Sequence, residues 1–344
     1  MGERLKPWLQ FFAKLLTLRK LRRNMEIKRY SSVCEGEWNA FVERSRQGTF
    51  LFNRGYMDYH SDRFDDFSLM AYDRGVLKGV LPANRVGNVL YSHQGLTYGG
   101  WLTQEGMDAS GMLGLWAEAA GYLIPAGIGR MVYKCIPWIY SRMPSEEDRY
   151  ALFRSGARWE SCQVASVVDL RNGWKFDSNG RRNAAKASRA GVRVVESDDF
   201  GGFWRVLTQV LAERYGVAPV HSLAEMELLK GRFNDDIRLV LAVDAEGEVL
   251  AGTVLYLAGR VVHVQYIASS HRGREEGALA LVFSRVMSHF NGYDFFDFGT
   301  SCENGGLYLN EGLLRQKSGF GGRAVVYESF IVDLAEIKTK LFGS

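Results

Sequence analysis

The residues best suited to chemistry cluster in the last third of the chain. Glu303 and Tyr308 lie in the segment 296–322, and either could relay a proton. Lys317 falls at the end of an expected helix, where the dipole favours a cation, just before the turn made by Gly319, Gly321 and Gly322. Gly299 ends an expected strand, where a substrate backbone could come close. Asp297 alternates with Phe296 and Phe298 and so faces the other side of that strand, towards a cleft or towards solvent. Tyr266 and His263 lie on a neighbouring expected strand. His263, between Val262 and Val264, reads as a core or surface histidine rather than a base. Upstream, Arg182, Lys186 and Arg189 recur at i, i+4 and i+7 on one helical face. That face suits an anionic substrate or a phosphate, or is simply a solvated charged face.

Two similar runs of elements must position these groups. In the second half, strands are expected at Val192–Glu196, Arg238–Val243, Val249–Leu257 and Val261–Ala268, with a further strand at "DFFDF" and a last one at Ala324–Val332. Between them come a helix whose face is Phe203, Leu207, Val210 and Leu211 and a helix opened by Ser222 and Glu225 at capping-box spacing. A helix from Glu275 to Phe290 and one around Gly306–Gln316 complete the set. The order β-α-α-β-β-β-α-β-α-β repeats in the first half. Its strands are Ile27–Tyr30, Ser68–Tyr72, Val76–Leu81, Val89–Thr97, Arg130–Cys135 and Glu160–Val168. Its helices are Glu37–Arg44, Tyr56–Arg63, Asp108–Leu123 and Ser145–Phe153. "RGVLKGVLP" aligns with "EGEVLAGTVLY", placing Gly79 opposite Gly252, a period that means duplication and not a solenoid. The expected division is an arm over 1–24, a first domain over 25–170 and a second over 171–344, joined through the polar stretch Arg171–Gly180.

Composition narrows the class. Of 344 residues, 47% are hydrophobic and 24% charged, which excludes a disordered chain and leaves ample material for cores. The four cysteines, at 34, 135, 162 and 302, show no CxxC spacing. Neither a metal site nor a disulfide framework is expected, and free thiols suit a reducing cytoplasm. No stretch reads as a membrane span, and the N-terminus does not read as a cleavable signal. The net charge is +4, but residues 1–24 hold seven Lys/Arg against Glu3 alone, so the remainder sums to −2. The folded body is therefore not basic, the pI says little about nucleic acid, and no DNA partner is expected. In the arm, Leu5, Trp8, Leu9, Phe12, Leu15 and Leu16 share a helical face, with Lys6 and Lys14 off it. Such a basic amphipathic helix would lie peripherally on an anionic membrane face, or pack on the body; Met25 is an alternative start.

The order of elements resembles the GNAT acyltransferase fold. Two such units in tandem resemble the FemAB-like branch, which includes peptidoglycan interpeptide-bridge aminoacyl transferases. The motifs that carry the resemblance are "RRNAAKASRAGVRVVE" at 181–196 and "FDFGTSCENGGLYLNEGLLRQKSGFGG" at 296–322. It implies an α+β fold of two tandem GNAT-like (acyl-CoA N-acyltransferase) units, each a mixed, mostly antiparallel sheet flanked by helices. It implies an acyltransferase moving an acyl or aminoacyl group to an amine acceptor, with a cell-envelope precursor as one candidate. Acyl-CoA or aminoacyl-tRNA would be the donor, and no other cofactor is implied. Lys317 would stabilise negative charge at the transferred carbonyl or on the substrate, with Tyr308 and Glu303 as proton carriers. Arg182, Lys186, Arg189, Tyr266, Asp297, Gly299, Phe320 and Gly321 would bind substrate. Arg272, Arg274 and Gly277 would hold the donor. Coenzyme A-using members carry Arg/Gln-x-x-Gly-x-Gly/Ala here. This chain has Arg274-Glu275-Glu276-Gly277-Ala278-Leu279, with two carboxylates and a leucine in place of the last small residue. Alternatives are an acyl-CoA-dependent N-acetyltransferase, or a non-catalytic envelope-assembly or RNA-binding protein of the same fold.

Overall fold

A computed structural model describes residues 25–342. The arm over 1–24, and with it the expected membrane-binding helix, lies outside the described residues. The described chain forms two compact units. One comprises residues up to 48, 52–161 and from 328 onwards; the other comprises 49–51 and 162–327. Strand β9 (Arg158–Asp169) carries the chain from the first unit into the second, and the last strand, β17 (Arg323–Asp333), carries it back.

In the first unit, β1 (Glu26–Arg29), β3 (Leu69–Asp73), β4 (Val76–Leu81) and β7 (Leu102–Thr103) form a four-stranded antiparallel sheet. Beside it run β2 (Asp65–Asp66), β5 (Asn84–Val86), β6 (Val89–Tyr91), β8 (Arg130–Lys134) and the end of β17. Among these, only β6 and β8 pair in parallel. Two helices, α1 (Glu35–Arg44) and the short α2 (Arg54–Met57), precede the sheet strands. Helix α3 (Ala109–Leu123) is capped by Asp108, whose Oδ1 accepts from the amide of Gly111 at 2.6 Å. It buries Met112, Leu115, Trp116 and Leu123 in one cluster with Leu69, Leu81 and Met131, which α4 (Glu147–Arg154) joins through Ala151 and Leu152. The strand expected at Val89–Thr97 stops at Tyr91. His93 adopts φ +63, a left-handed conformation that no strand continues.

The second unit follows the expected order with sharper boundaries. Strands β10 (Arg193–Ser197), β11 (Ile237–Val243), β12 (Val249–Ala258) and β13 (Val261–Ser269) are antiparallel. β14 (Phe295–Thr300) then pairs in parallel with β13 and antiparallel with β9. The parallel pair recurs at the same point of both halves. Helices α5 (Ser178–Arg189), α6 (Phe200–Tyr215) and α7 (Leu223–Arg232) precede β12. The capping box of α7 forms: Ser222 Oγ accepts from Glu225 N at 3.2 Å, and Glu225 Oε2 accepts from Ser222 N at 2.7 Å.

Two expected helices are reshaped. The run from Glu275 to Phe290 is two helices, α8 (His271–Glu276) and α9 (Ala278–His289), separated by Gly277 at φ +78. A Cβ at Gly277 would lie 2.6 Å from the Asn183 carbonyl oxygen, so the break needs glycine on two counts. The run from Gly306 begins instead in a hairpin, β15 (Cys302–Glu303) and β16 (Tyr308–Leu309), because Asn304, Gly305 and Gly306 all take positive φ. The helix proper, α10 (Glu311–Gly319), starts only after Asn310 caps it. Beneath the sheet, Phe283 of α9 packs on Phe296, Phe298 and Phe320 at ring separations of 5.9, 4.9 and 5.3 Å. Burying that side chain contributes about 2–3 kcal/mol.

Candidate active site

The site is set by where β13 and β14 part. Their pairing covers Val261–Phe295, Val262–Phe296 and His263–Asp297, and then stops. β13 runs on to Ser269 and β14 to Thr300. The register of β13 against β12 slips at the same level, between Val254/Tyr266 and Leu255/Val264, so Gln265 is an extra residue that bends β13 away. Beyond His263 the β13–β14 pairing stops, and side chains answer several of the backbone carbonyls there: Lys317 those of Gly299 and Thr300, and Arg274 that of Ser269.

A cleft of about 700 Å³ lies on the α9 side of this opening. Its walls are Ile267–Ser269 at the end of β13, the start of α9, the first turns of α5 and the outer face of α10. Gly277 supplies no side-chain cap to α9; its carbonyl accepts from the Ala280 amide at 3.1 Å, and Gly277, Leu279 and Ala280 line the cleft. Arg214, Arg274 and Arg315 also line it, against Asp177 as the lining carboxylate. Arg274 is steadied by donating Nη1 to the Ser269 carbonyl at 2.8 Å. The balance of charge suits an anionic ligand.

The two carboxylates of the loop do not enter. Glu276 accepts from Arg272 Nε at 2.8 Å, Glu275 faces His271 at 3.6 Å, and neither lines the cleft. Arg272, an expected donor ligand, is instead held by Asp244 at 2.5 Å, by Glu248 at 3.2 Å and by Glu276. Of the expected donor residues, the cleft gathers Arg274 and Gly277.

The second cluster lies at the end of β14. Lys317, on the last turn of α10, is only 7% exposed. Its Nζ donates to the carbonyls of Gly299 at 3.0 Å and Thr300 at 2.6 Å, which leaves one ammonium N–H for a ligand. Burial pulls its pKa down to about 8, opposed by the charge of Asp297. Asp297 is wholly buried. Its Oδ1 accepts from the Gly299 amide at 2.8 Å, and its Oδ2 lies 2.5 Å from the Tyr327 hydroxyl and 2.8 Å from His263 Nδ1. Gly299 stands at φ +70 and joins the two groups.

The remaining expected residues are placed elsewhere. Glu303 and Tyr308 face each other across the exposed β15–β16 hairpin, and Glu303 accepts from Asn310 at 3.3 Å. Tyr308 is 57% exposed. Tyr266 stacks edge-on against Trp204, and its hydroxyl lies 2.5 Å from His221 Nδ1; burial raises its pKa. Arg182, Lys186 and Arg189 point to solvent on α5. Arg182 bonds Asn179 at 3.4 Å and Lys186 bonds the Glu275 carbonyl at 2.7 Å; none of the three lines the cleft. Phe320 is buried at the cleft floor, and Gly321, at φ +97, makes the turn into β17. Sequence reading did not find Tyr327, Arg214 or Arg315 as site residues. His263 carried a signal, a polar residue in an apolar strand, as did Asp297.

A splayed parallel strand pair, an adjoining helix N-terminus and a cleft near both are features of a GNAT-fold unit. Residues 175–305 match the family described as Acetyltransferase (GNAT) domain. The fold of the whole chain is that of tandem GNAT proteins. It is similar to the crystal structure of FemX (TM-score 0.63, 14% identity, covering 93% of this chain and 100% of that one). It is also similar to a tandem GNAT protein from the clavulanic acid biosynthesis pathway (TM-score 0.52, 11% identity, 90% and 99% covered). A third likeness is to L-PGS from Bacillus licheniformis (TM-score 0.56, 15% identity, 90% and 97% covered). No curated protein sequence matches this one. Among the described residues, no helix is long and apolar enough to cross a membrane.

Proposed function

We propose that this chain transfers an acyl or aminoacyl group from a phosphate-bearing donor, held in the cleft of the second unit, to an amine acceptor. The observation that carries the reading is the cleft itself: three arginines and the start of α9, which has no side-chain cap, line it beside the end of β13, past the point where the pairing with β14 stops. Phosphates of the donor would lie against Arg274, Arg315 and the amides of α9, and the acyl carbonyl would pass into the gap beyond His263. The remaining N–H of Lys317 would meet the negative charge that develops on that carbonyl oxygen. Glu275 and Glu276 are turned out of the cleft, which keeps acyl-CoA beside aminoacyl-tRNA as a donor.

The resemblance to the FemAB-like branch supports a cell-envelope precursor as acceptor. It also suits a protein of the cytoplasmic side whose basic arm meets the inner membrane face. Thermal-shift measurements with acetyl-CoA, aminoacyl-tRNA and UDP-linked murein precursors test the reading. At least one donor should raise Tm in the wild-type protein and lose most of that effect in Arg274→Ala. Stabilisation by no donor, or stabilisation indifferent to Arg274 and Arg315, would sink it.

A further inference from the structure

The parallel pair of the first unit ends as that of the second does. β6 and β8 pair as Val89–Arg130, Leu90–Met131 and Tyr91–Val132, and then part. Here residues 92–96 fill the gap. Lys134, at the end of β8, donates Nζ to the carbonyls of His93 at 3.2 Å, Gln94 at 3.4 Å and Leu96 at 2.8 Å. Three N–H groups meet three acceptors, so this ammonium has none to spare, unlike that of Lys317. The segment is also pinned through Gln94, whose backbone amide and side chain both bond the Asn84 side chain at 2.8 Å. Gly95 packs so closely that a Cβ there would lie 2.4 Å from His60 Nε2.

The closed turn depends on His93, which is 3% exposed and stands at φ +63. Its Nδ1 accepts from the Gly95 amide at 3.2 Å, so Nδ1 carries no proton and the ring is neutral. An imidazolium has N–H on both nitrogens, and charging the ring would turn that acceptor into a donor facing the amide. The ring stacks on His60 at 5.8 Å and meets Phe64 at 5.1 Å. The charged and titratable groups around it are His60 in the turn Asp58–Arg63, Asp66 on β2, Lys134 on β8 and Arg54 on α2, which itself pairs with Asp58 and Asp66. Burial first and His60 second hold the imidazole down at about 3; Asp66 opposes them, and Lys134 and Arg54 add to them.

We propose that residues 92–96 are an acid-sensitive latch over the gap past β6 and β8: a proton on His93 releases the segment, and with it the ammonium of Lys134. In the open form His93 titrates near its ordinary value of about 6.5. Below that pH the open form binds a proton that the closed form refuses. Opening is therefore favoured about tenfold for each pH unit lost between about 6 and about 4. Lys134 adds no slope in that window. Burial lowers its pKa only to about 8, so it is charged in both forms.

Hydrogen exchange tests the latch, each rate being divided by the intrinsic rate at the same pH. Protection of the Gly95 and Leu96 amides, which both donate to His93, should fall roughly fiftyfold from pH 6.5 to pH 4.5. Amides inside α3 should not share that slope. In His93→Asn the side-chain oxygen can still accept from Gly95, and asparagine tolerates the left-handed backbone, but nothing titrates. Protection of the segment should then change by less than about threefold over the same range. Flat protection in the wild-type protein, a slope that survives in His93→Asn, or a slope shared equally by α3 overturns the proposal. Should the variant fail to fold, NMR titration of the wild-type ring decides: His93 should still be neutral at pH 5, and a His93 that charges above pH 6 refutes the latch.

Discussion

Replacing Lys317 by methionine keeps most of the stem and removes a charge whose burial can be weighed. The folded pKa is about 8, against about 10.4 for an unfolded lysine, because burial penalises the ammonium more than Asp297 favours it. Between these two values the unfolded chain binds a proton that the folded chain has released. Unfolding free energy must therefore rise with pH across that window. A difference of somewhat over two pH units corresponds to about 3 kcal/mol. Below pH 7 the penalty is present in full; by pH 10.5 most of it is gone. Subtracting the methionine variant cancels the other titrations. The stability of the wild-type protein relative to Lys317→Met should thus increase by about 3 kcal/mol between pH 7 and pH 10.5, read from urea midpoints at each pH. Parallel curves would show that Lys317 titrates normally and is not buried as described. A gap that narrows with rising pH would mean a raised pKa and an ion pair dominated by Asp297. With a donor in hand, the same variant should turn over roughly a hundredfold more slowly.

Three further substitutions probe other parts of the site. Gly277→Ala places a Cβ against the Asn183 backbone at positive φ, and should cost at least about 1 kcal/mol in a urea unfolding series, with weaker donor binding. Arg274→Ala should raise the donor Kd about tenfold or more by isothermal titration, with a shallower salt dependence than the wild type. Glu303→Gln and Tyr308→Phe, on the exposed hairpin, should each change turnover by less than tenfold in a steady-state assay; a hundredfold loss in either would place that hairpin in the chemistry.

What the sequence by itself determined is what local rules control. Alternation placed Asp297 on the face opposite Phe296 and Phe298, capping spacing set the start of α7 at Ser222, and the duplicated order of strands and helices announced two α+β units. The glycine at 299 and the lysine at 317 were legible as a strand end and a helix end. That they meet is a tertiary fact: the Lys317 ammonium reaches the Gly299 and Thr300 carbonyls because α10 folds back along β14. The same holds for the carboxylates of α8. By sequence alone, Glu275 and Glu276 would repel a phosphate, yet Glu275 faces His271, Glu276 pairs with Arg272, and neither lines the cleft. Arg272 matched the family loop by position, but Asp244 and Glu248, brought in by the β11–β12 turn, claim it instead. The basic face of Arg182, Lys186 and Arg189 had the right spacing and the wrong side, because α5 turns Gly180 and Asn183 to the cleft. Periodicity assigns a face to an element but cannot say which neighbour that face will meet. That is why the cluster of Lys317, Asp297, His263 and Tyr327, drawn from four separate elements, exists only once the chain has folded.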